Sequence, residues 1–134
     1  MAYSKYGLSF EELRAGNVKR LPKFKNAKGE IAHPHPTGAD WSPGDWMTAI
    51  VGELGEAANI MKKVRRGDYA LDDVVTFKEK EGPTTPRKEL AKEFADVACY
   101  LDILAMQFDV DLGDTIVEKF NEVSARFNCD VKLP

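Results

Sequence analysis

Ser42-Pro43-Gly44-Asp45-Trp46 opens, and Arg65-Arg66-Gly67 closes, the stretch that decides the fold, and between them lies Gly52-Glu53-Leu54-Gly55-Glu56-Ala57-Ala58-Asn59-Ile60. Ser42 reads as an N-cap, Pro43 suits the first helical position, Asp45 favours the positive end of the macrodipole, and Gly67 ends the run behind two arginines. The spacing predicts one long helix from Pro43 to about Arg66. Within it Glu53 and Glu56 stand three residues apart, so both carboxylates share one face, next to Ala49, Ile50, Ala57 and Ile60.

A second acidic pair, Glu93 and Asp96 in Glu93-Phe94-Ala95-Asp96, repeats that spacing inside a 3.6-residue stripe of Leu90, Phe94, Val97, Leu101, Leu104 and Phe108. Thr85-Pro86 marks the start of this helix. A further helix is expected from Asp111 and Asp114 to about Phe127, with the stripe Leu112, Ile116, Val117, Phe120, Val123 and Phe127. A shorter one, from Phe10 to about Lys19, follows the capping box Ser9-Phe10-Glu11-Glu12. Residues 21–41 carry Pro22, Gly29, Pro34, Pro36 and Gly38 and read as an irregular arm containing His33 and His35. Residues 67–85 read as an insertion that is either a small hairpin or a mobile loop. No strand of convincing length appears, so the expectation is an all-α bundle of four main helices in one domain spanning residues 1–134.

Composition narrows the function classes. The 134 residues carry a formal net charge of -3, which argues against polymeric nucleic acid as the partner, because such domains concentrate basic surface. Two cysteines, Cys99 and Cys129, are too few for a disulfide framework and lack zinc spacing. No apolar run long enough for a membrane span or a leader is present, which makes a cytoplasmic protein the expectation.

Four carboxylates converging from two packed helices repel one another unless a cation sits among them. All-oxygen donors suit a hard divalent ion, Mg²⁺ first, with Mn²⁺ as the alternative. The bland reading of Glu53 and Glu56 is a solvated face, but their apolar neighbours weaken it, as do Gly52 and Gly55. Each of these glycines costs about 1 kcal/mol against alanine unless something approaches closely. A di-iron bundle needs Glu-x-x-His, whereas the only histidines lie in the arm. An EF-hand beginning at Asp109 fails, because Gly113 falls at position five and Phe120 stands where a bidentate Glu belongs. No flanking motif supports Cys–His or Ser–His catalysis.

From Trp41 to Phe127 the chain resembles the all-α nucleoside triphosphate pyrophosphohydrolases of the MazG type, in the short form common in bacteriophages. The resemblance rests on Trp41-Ser42-Pro43-Gly44-Asp45-Trp46, Gly52-Glu53-Leu54-Gly55-Glu56-Ala57-Ala58-Asn59, Glu93-Phe94-Ala95-Asp96-Val97 and Lys119-Phe120-Asn121-Glu122-Val123-Ser124-Ala125-Arg126. It implies Mg²⁺-dependent hydrolysis of (deoxy)nucleoside triphosphates to monophosphate and pyrophosphate, in a homodimer or homotetramer within the host cytoplasm. Glu53, Glu56, Glu93 and Asp96 are then the metal ligands, and one glutamate, Glu53 by preference over Glu56, doubles as the water-orienting base. Lys63, Asn59, Lys119 and Arg126 are candidate phosphate contacts, with exposed, solvated side chains as the competing reading. Trp41 and Trp46 are candidate base platforms, although core packing is the favoured reading for Trp46 and less clearly so for Trp41; two rings favour a purine such as dGTP. Two features depart from the pattern: 36 residues separate Glu56 from Glu93, and Val123 replaces an expected Asn. The different-class alternative is a non-catalytic helical module that binds nucleotide or protein and uses the acids to hold a structural cation.

Overall fold

The computed structural model describes residues 4–134. Residues 1–3, on which the expectation of no leader partly rests, lie outside them. Four helices form where the local signals place them: α1 (Phe10–Arg20), α2 (Pro43–Arg66), α3 (Pro86–Gln107) and α4 (Leu112–Arg126). Among the described residues there is no named strand, only two isolated bridges, Lys25 to Ile31 and Val75 to Thr84. The chain is all-α, and none of these helices is long and apolar enough to cross a membrane. By contact it divides into two compact units, Met1–Pro43 with Asp102–Pro134, and Gly44–Leu101.

In the first unit α1 begins at the predicted capping box, with Ser9 accepting from the Glu12 amide and Glu12 accepting from the Ser9 amide. The only buried residue of α1 is polar, Asn17. Polar bonds therefore hold this helix. Arg14 donates from Nε to both carboxylate oxygens of Asp102 at 3.1 Å and from Nη2 to the Val110 carbonyl at 2.9 Å, while Asn17 donates to Asp102 Oδ2 at 3.1 Å. Asp102, 1 % exposed, is thereby fully engaged. α4 starts at the N-cap Asp111, which accepts from the Asp114 amide. Gly113 permits a close approach there, since a Cβ at that position would meet Phe10 Cβ at 3.2 Å. At its other end Asn128 turns left-handed (φ 54°), and the Cys129 amide donates back to the Ser124 carbonyl at 2.8 Å.

The arm is irregular, as expected, but is organised by its own bonds. Leu21–Lys23 makes a 3₁₀ turn, Asn26 Oδ1 accepts from the Lys28 and Glu30 amides, and His33 Nδ1 lies 2.8 Å from Asp40 Oδ2. His33 is buried, with the Trp41 ring edge-on at 4.7 Å.

The second unit contains the antiparallel pairing of α2 with α3, in which Trp46 lies against Tyr100 at one end and Glu53 near Glu93 and Asp96 further along. Trp46, Ile50, Ala57 and Ile60 are the buried residues of α2. Gly67, at φ 88°, ends α2 in a conformation that glycine adopts without strain. The insertion is hairpin-like. Val75 and Thr84 exchange both amide hydrogen bonds at 2.8 and 2.9 Å, Glu79–Glu81 forms a single 3₁₀ turn at the tip, and Tyr69 meets Phe77 edge-on at 5.6 Å. Arg87 fastens the base, donating from its side chain to Asp72 at 2.8 and 3.0 Å and from its amide to the Leu71 carbonyl at 3.0 Å.

Removing one partner of a buried ion pair strands the other charge. Arg14→Ala is therefore expected to destabilise the protein by about 3 kcal/mol in denaturant titrations. A double substitution, Arg14→Met with Asp102→Leu, should recover at least half of that loss, because no uncompensated carboxylate remains. A loss below about 0.5 kcal/mol for Arg14→Ala, as expected of an exposed pair, would show that this network does not anchor α1.

Candidate metal centre

Helix α3 takes three carboxylates out of water: Glu89, Glu93 and Asp102. Asp102 has Arg14 and Asn17, and Glu89 accepts from Lys92 Nζ at 2.9 Å. Glu93, 7 % exposed, has neither kind of partner. Its neighbours are acids, and among the described residues it makes no ion pair to Lys, Arg or His. Oxygens of Glu53, Glu93 and Asp96 all lie within 4.8 Å of one another. Burial, followed by the carboxylates of Glu53 and Glu56, pushes Glu93 from the ordinary 4.5 up to about 8. A proton held on Glu93 lets it donate to a neighbouring carboxylate and lowers the local charge.

The helical geometry explains why these residues meet. Glu53 lies on the same side of α2 as the buried Trp46, Ile50, Ala57 and Ile60, so the line that packs also carries the acid. Glu93 sits one turn after buried Glu89 on α3, and Asp96 one turn further, at the exposed edge. Three carboxylates with no nitrogen or sulfur donor suit a hard divalent cation such as Mg²⁺ or Mn²⁺. Glu56 is exposed and stands outside the closest trio, although its charge acts on Glu93.

The remaining sequence candidates fall into distinct places. Lys63 is partly buried near the end of α2, and Asn59 is exposed. Lys119 and Arg126 both pair with Glu122, at 3.0 and 3.2 Å. Asn121 is occupied with the chain's own tail, donating to the Leu133 carbonyl and accepting from the Leu133 amide. Trp41 keeps part of its ring exposed. Trp46 does not: at 1 % exposure its ring is core, tilted on Tyr100 at 5.9 Å, which agrees with the packing reading and removes it as a base platform. The two-tryptophan argument for a purine loses half its basis. Gly52 and Gly55 also differ from expectation, because a Cβ at either would meet nothing within 4 Å. No approach by this chain's own atoms requires them.

The buried pairs escaped the sequence reading. Asp102 sits between Leu101 and Ile103, an acid inside an apolar run. Arg14 and Asn17, one helical turn apart on a poorly apolar helix, were the matching signal.

Compared with known proteins, the chain matches no family model and no curated protein.

A carboxyl whose folded pKa is raised contributes stability that is complete below the unfolded value and is lost as pH climbs through the folded one. For Glu93 that window runs from 4.5 to about 8. In metal-free buffer Glu93→Gln should therefore match wild type near pH 4.5 and melt a few degrees higher at pH 8. Millimolar Mg²⁺ or Mn²⁺ should raise the wild-type Tm at pH 8 and leave the variant unmoved. Identical melting of the two proteins across the range, with and without cation, would show that Glu93 is not held among uncompensated acids.

Proposed function

We propose that the chain is a divalent-cation-dependent pyrophosphohydrolase of (deoxy)nucleoside triphosphates, of the MazG type its sequence resembles. The observation that carries this reading is Glu93, a buried carboxylate on a helix whose other buried acids have donors, left among Glu53, Glu56 and Asp96. A stable protein without cation chemistry gains nothing from such a group, and a hydrophobic residue of similar size would serve packing better.

Glu53, Glu93 and Asp96 would hold the ion. When bound, a divalent cation there supplies charge neutralisation for a triphosphate and a lowered pKa for an attacking water. Glu56, exposed, outside the closest trio and hydrogen-bonded to Glu93, is the carboxylate we assign to orient that water and accept its proton, a role the sequence favours for Glu53. Lys63, on the same face of α2 as Glu56 by its seven-residue spacing, offers a cation to the phosphates. Lys119 and Arg126 would first have to leave Glu122. The family resemblance selects the α,β anhydride and a homo-oligomer, and Trp41, partly exposed, is the ring assigned to meet a base.

The test is product analysis with eight (d)NTPs in the presence of Mg²⁺. Pyrophosphate and nucleoside monophosphate are the expected products, with ¹⁸O from water in the monophosphate. Asp96→Asn and Glu56→Gln should lower kcat by more than about 100-fold, the scale on which lost transition-state electrostatics is felt, without loss of helicity. Orthophosphate with nucleoside diphosphate as primary products would reject the pyrophosphohydrolase assignment. Absence of any turnover, with cation binding retained, would favour the structural-cation module.

A further inference from the structure

A cavity of about 380 Å³ lies at the C-terminal end of α3, within the range of about 300–1,000 Å³ common to small-molecule sites. The residues along it all belong to the first unit, among them Thr37, Trp41 and Pro43 from the end of the arm and Met106 and Gln107 from the end of α3. Gln107 ties the two sides together. Its Nε2 donates to the Gly38 carbonyl at 2.8 Å and to the Trp41 carbonyl at 3.3 Å. The Gly38 carbonyl also accepts from the Trp41 amide at 3.1 Å, so Gln107 fastens a turn that the arm begins by itself. Turning the side-chain amide over would press its oxygen against two carbonyl oxygens, and the network thereby fixes which end is Nε2.

The other end has no donor. Gln107 Oε1 is shielded from water and makes no hydrogen bond, one of two such buried side-chain atoms among the described residues. A shielded acceptor without a donor is costly, and native folds keep few of them. The turn itself requires only donors, which a lysine also supplies. The acceptor is therefore surplus to the fold. Beside it the cavity offers an aromatic ring and apolar atoms, and no charged side chain or histidine is among its lining residues. Trp41 is 38 % exposed, and its ring is steadied by His33, which meets it at right angles at 4.7 Å and is itself held by Asp40 at 2.8 Å. Met106, with three rotatable bonds, is the part of the wall that yields when something enters.

We propose that this cavity takes a nucleobase, with the ring against Trp41 and an N–H on the edge of the ring donating to Gln107 Oε1. The inference rests on the assignment of Trp41 to a base and adds the group that reads the base's edge. An uncharged flat donor is what the cavity fits: a phosphate or carboxylate would meet no cation there, and an alkyl chain would leave the acceptor unpaired. Gln107 is then a specificity-determining residue, because a ring whose N–H is replaced by N-methyl leaves the oxygen buried without a donor.

The test follows the whole chain, without added metal, by calorimetry and by the NMR signal of the Trp41 indole N–H, identified by its loss in Trp41→Phe. The probes are deoxyadenosine, deoxycytidine, deoxyguanosine and thymidine. At least one is expected to bind once per chain and to shift that signal. Its N-methylated form, 3-methylthymidine for thymidine or N6,N6-dimethyldeoxyadenosine for deoxyadenosine, should bind at least about tenfold more weakly. Gln107→Met should weaken the parent nucleoside by a similar factor and bind parent and methylated rings alike, and Trp41→Ala should weaken both by about tenfold. The matching triphosphates form the second arm: tighter binding than the nucleoside identifies a nucleotide as the source of the ring, and equal binding identifies the nucleoside. No shift of the Trp41 signal by any nucleoside at millimolar concentration, or undiminished binding of the methylated ring, would overturn the proposal. Because the first arm involves neither phosphate nor turnover, nucleoside binding by a chain without hydrolase activity removes only the catalytic reading, and turnover without nucleoside binding removes only this pocket.

Discussion

A carboxylate removed from water must be given a cation, a set of hydrogen-bond donors or a proton, and this constraint organises the chain along α3. The helix buries acids at three levels and answers each differently. Glu89 takes a lysine one turn away on its own helix, and Asp102 takes an arginine and an asparagine from the far end of the sequence. Glu93 is left among other acids. The first two solutions are complete within the chain and serve the fold. The third is complete only with something added, and so the same physical rule that explains the architecture also marks the place where chemistry is expected.

Asp102 reaches furthest. Helix α1 has no apolar stripe to dock with, so its position follows from the two donors that meet Asp102, and Arg14 extends the network to the Val110 carbonyl. That carbonyl lies in the short turn joining α3 to α4, where Asp109 takes a left-handed conformation (φ 54°). The approach of α4 to Phe10, for which Gly113 leaves room, completes the arrangement. One charged group thus sets a helix, a turn and the start of the next helix.

Local chemistry made the helices legible. Ser9 with Glu12, Pro43, Gly67, Pro86 and Asp111 are start and stop signals that act within a few residues, and all fall at the ends of helices. The period of the acidic pairs was equally plain, because α-helical spacing alone brings Glu53 to the α3-facing side. What a helix faces is a long-range matter and was much less legible. Arg14 and Asp102 are 88 residues apart, so neither announces the other. Trp46 and Trp41 have similar chemistry and nearby positions, yet one is core and the other partly open. The sequence marks an apolar stripe on α4, and Ile116, Phe120 and Phe127 of that stripe are all exposed to a substantial degree. Periodicity reports that a face is apolar and is silent about what covers it.

The hairpin-like segment between α2 and α3 has a bearing on how this chain can change over evolutionary time. Its base is tied by Arg87 to Asp72 and its stem by Val75 to Thr84, while the tip around Lys80 meets α3 through an exposed ion pair of Glu81 with Lys92 at 3.7 Å. Once a stem is closed, lengthening the tip costs only about 0.6 kcal/mol for each doubling of loop length. That ion pair is exposed and so contributes little, and a change at the tip is felt only weakly by the two acid-bearing helices. New sequence can accumulate there, and a new specificity or contact be tried out, while the spacing of the carboxylates stays under the control of residues that need not change.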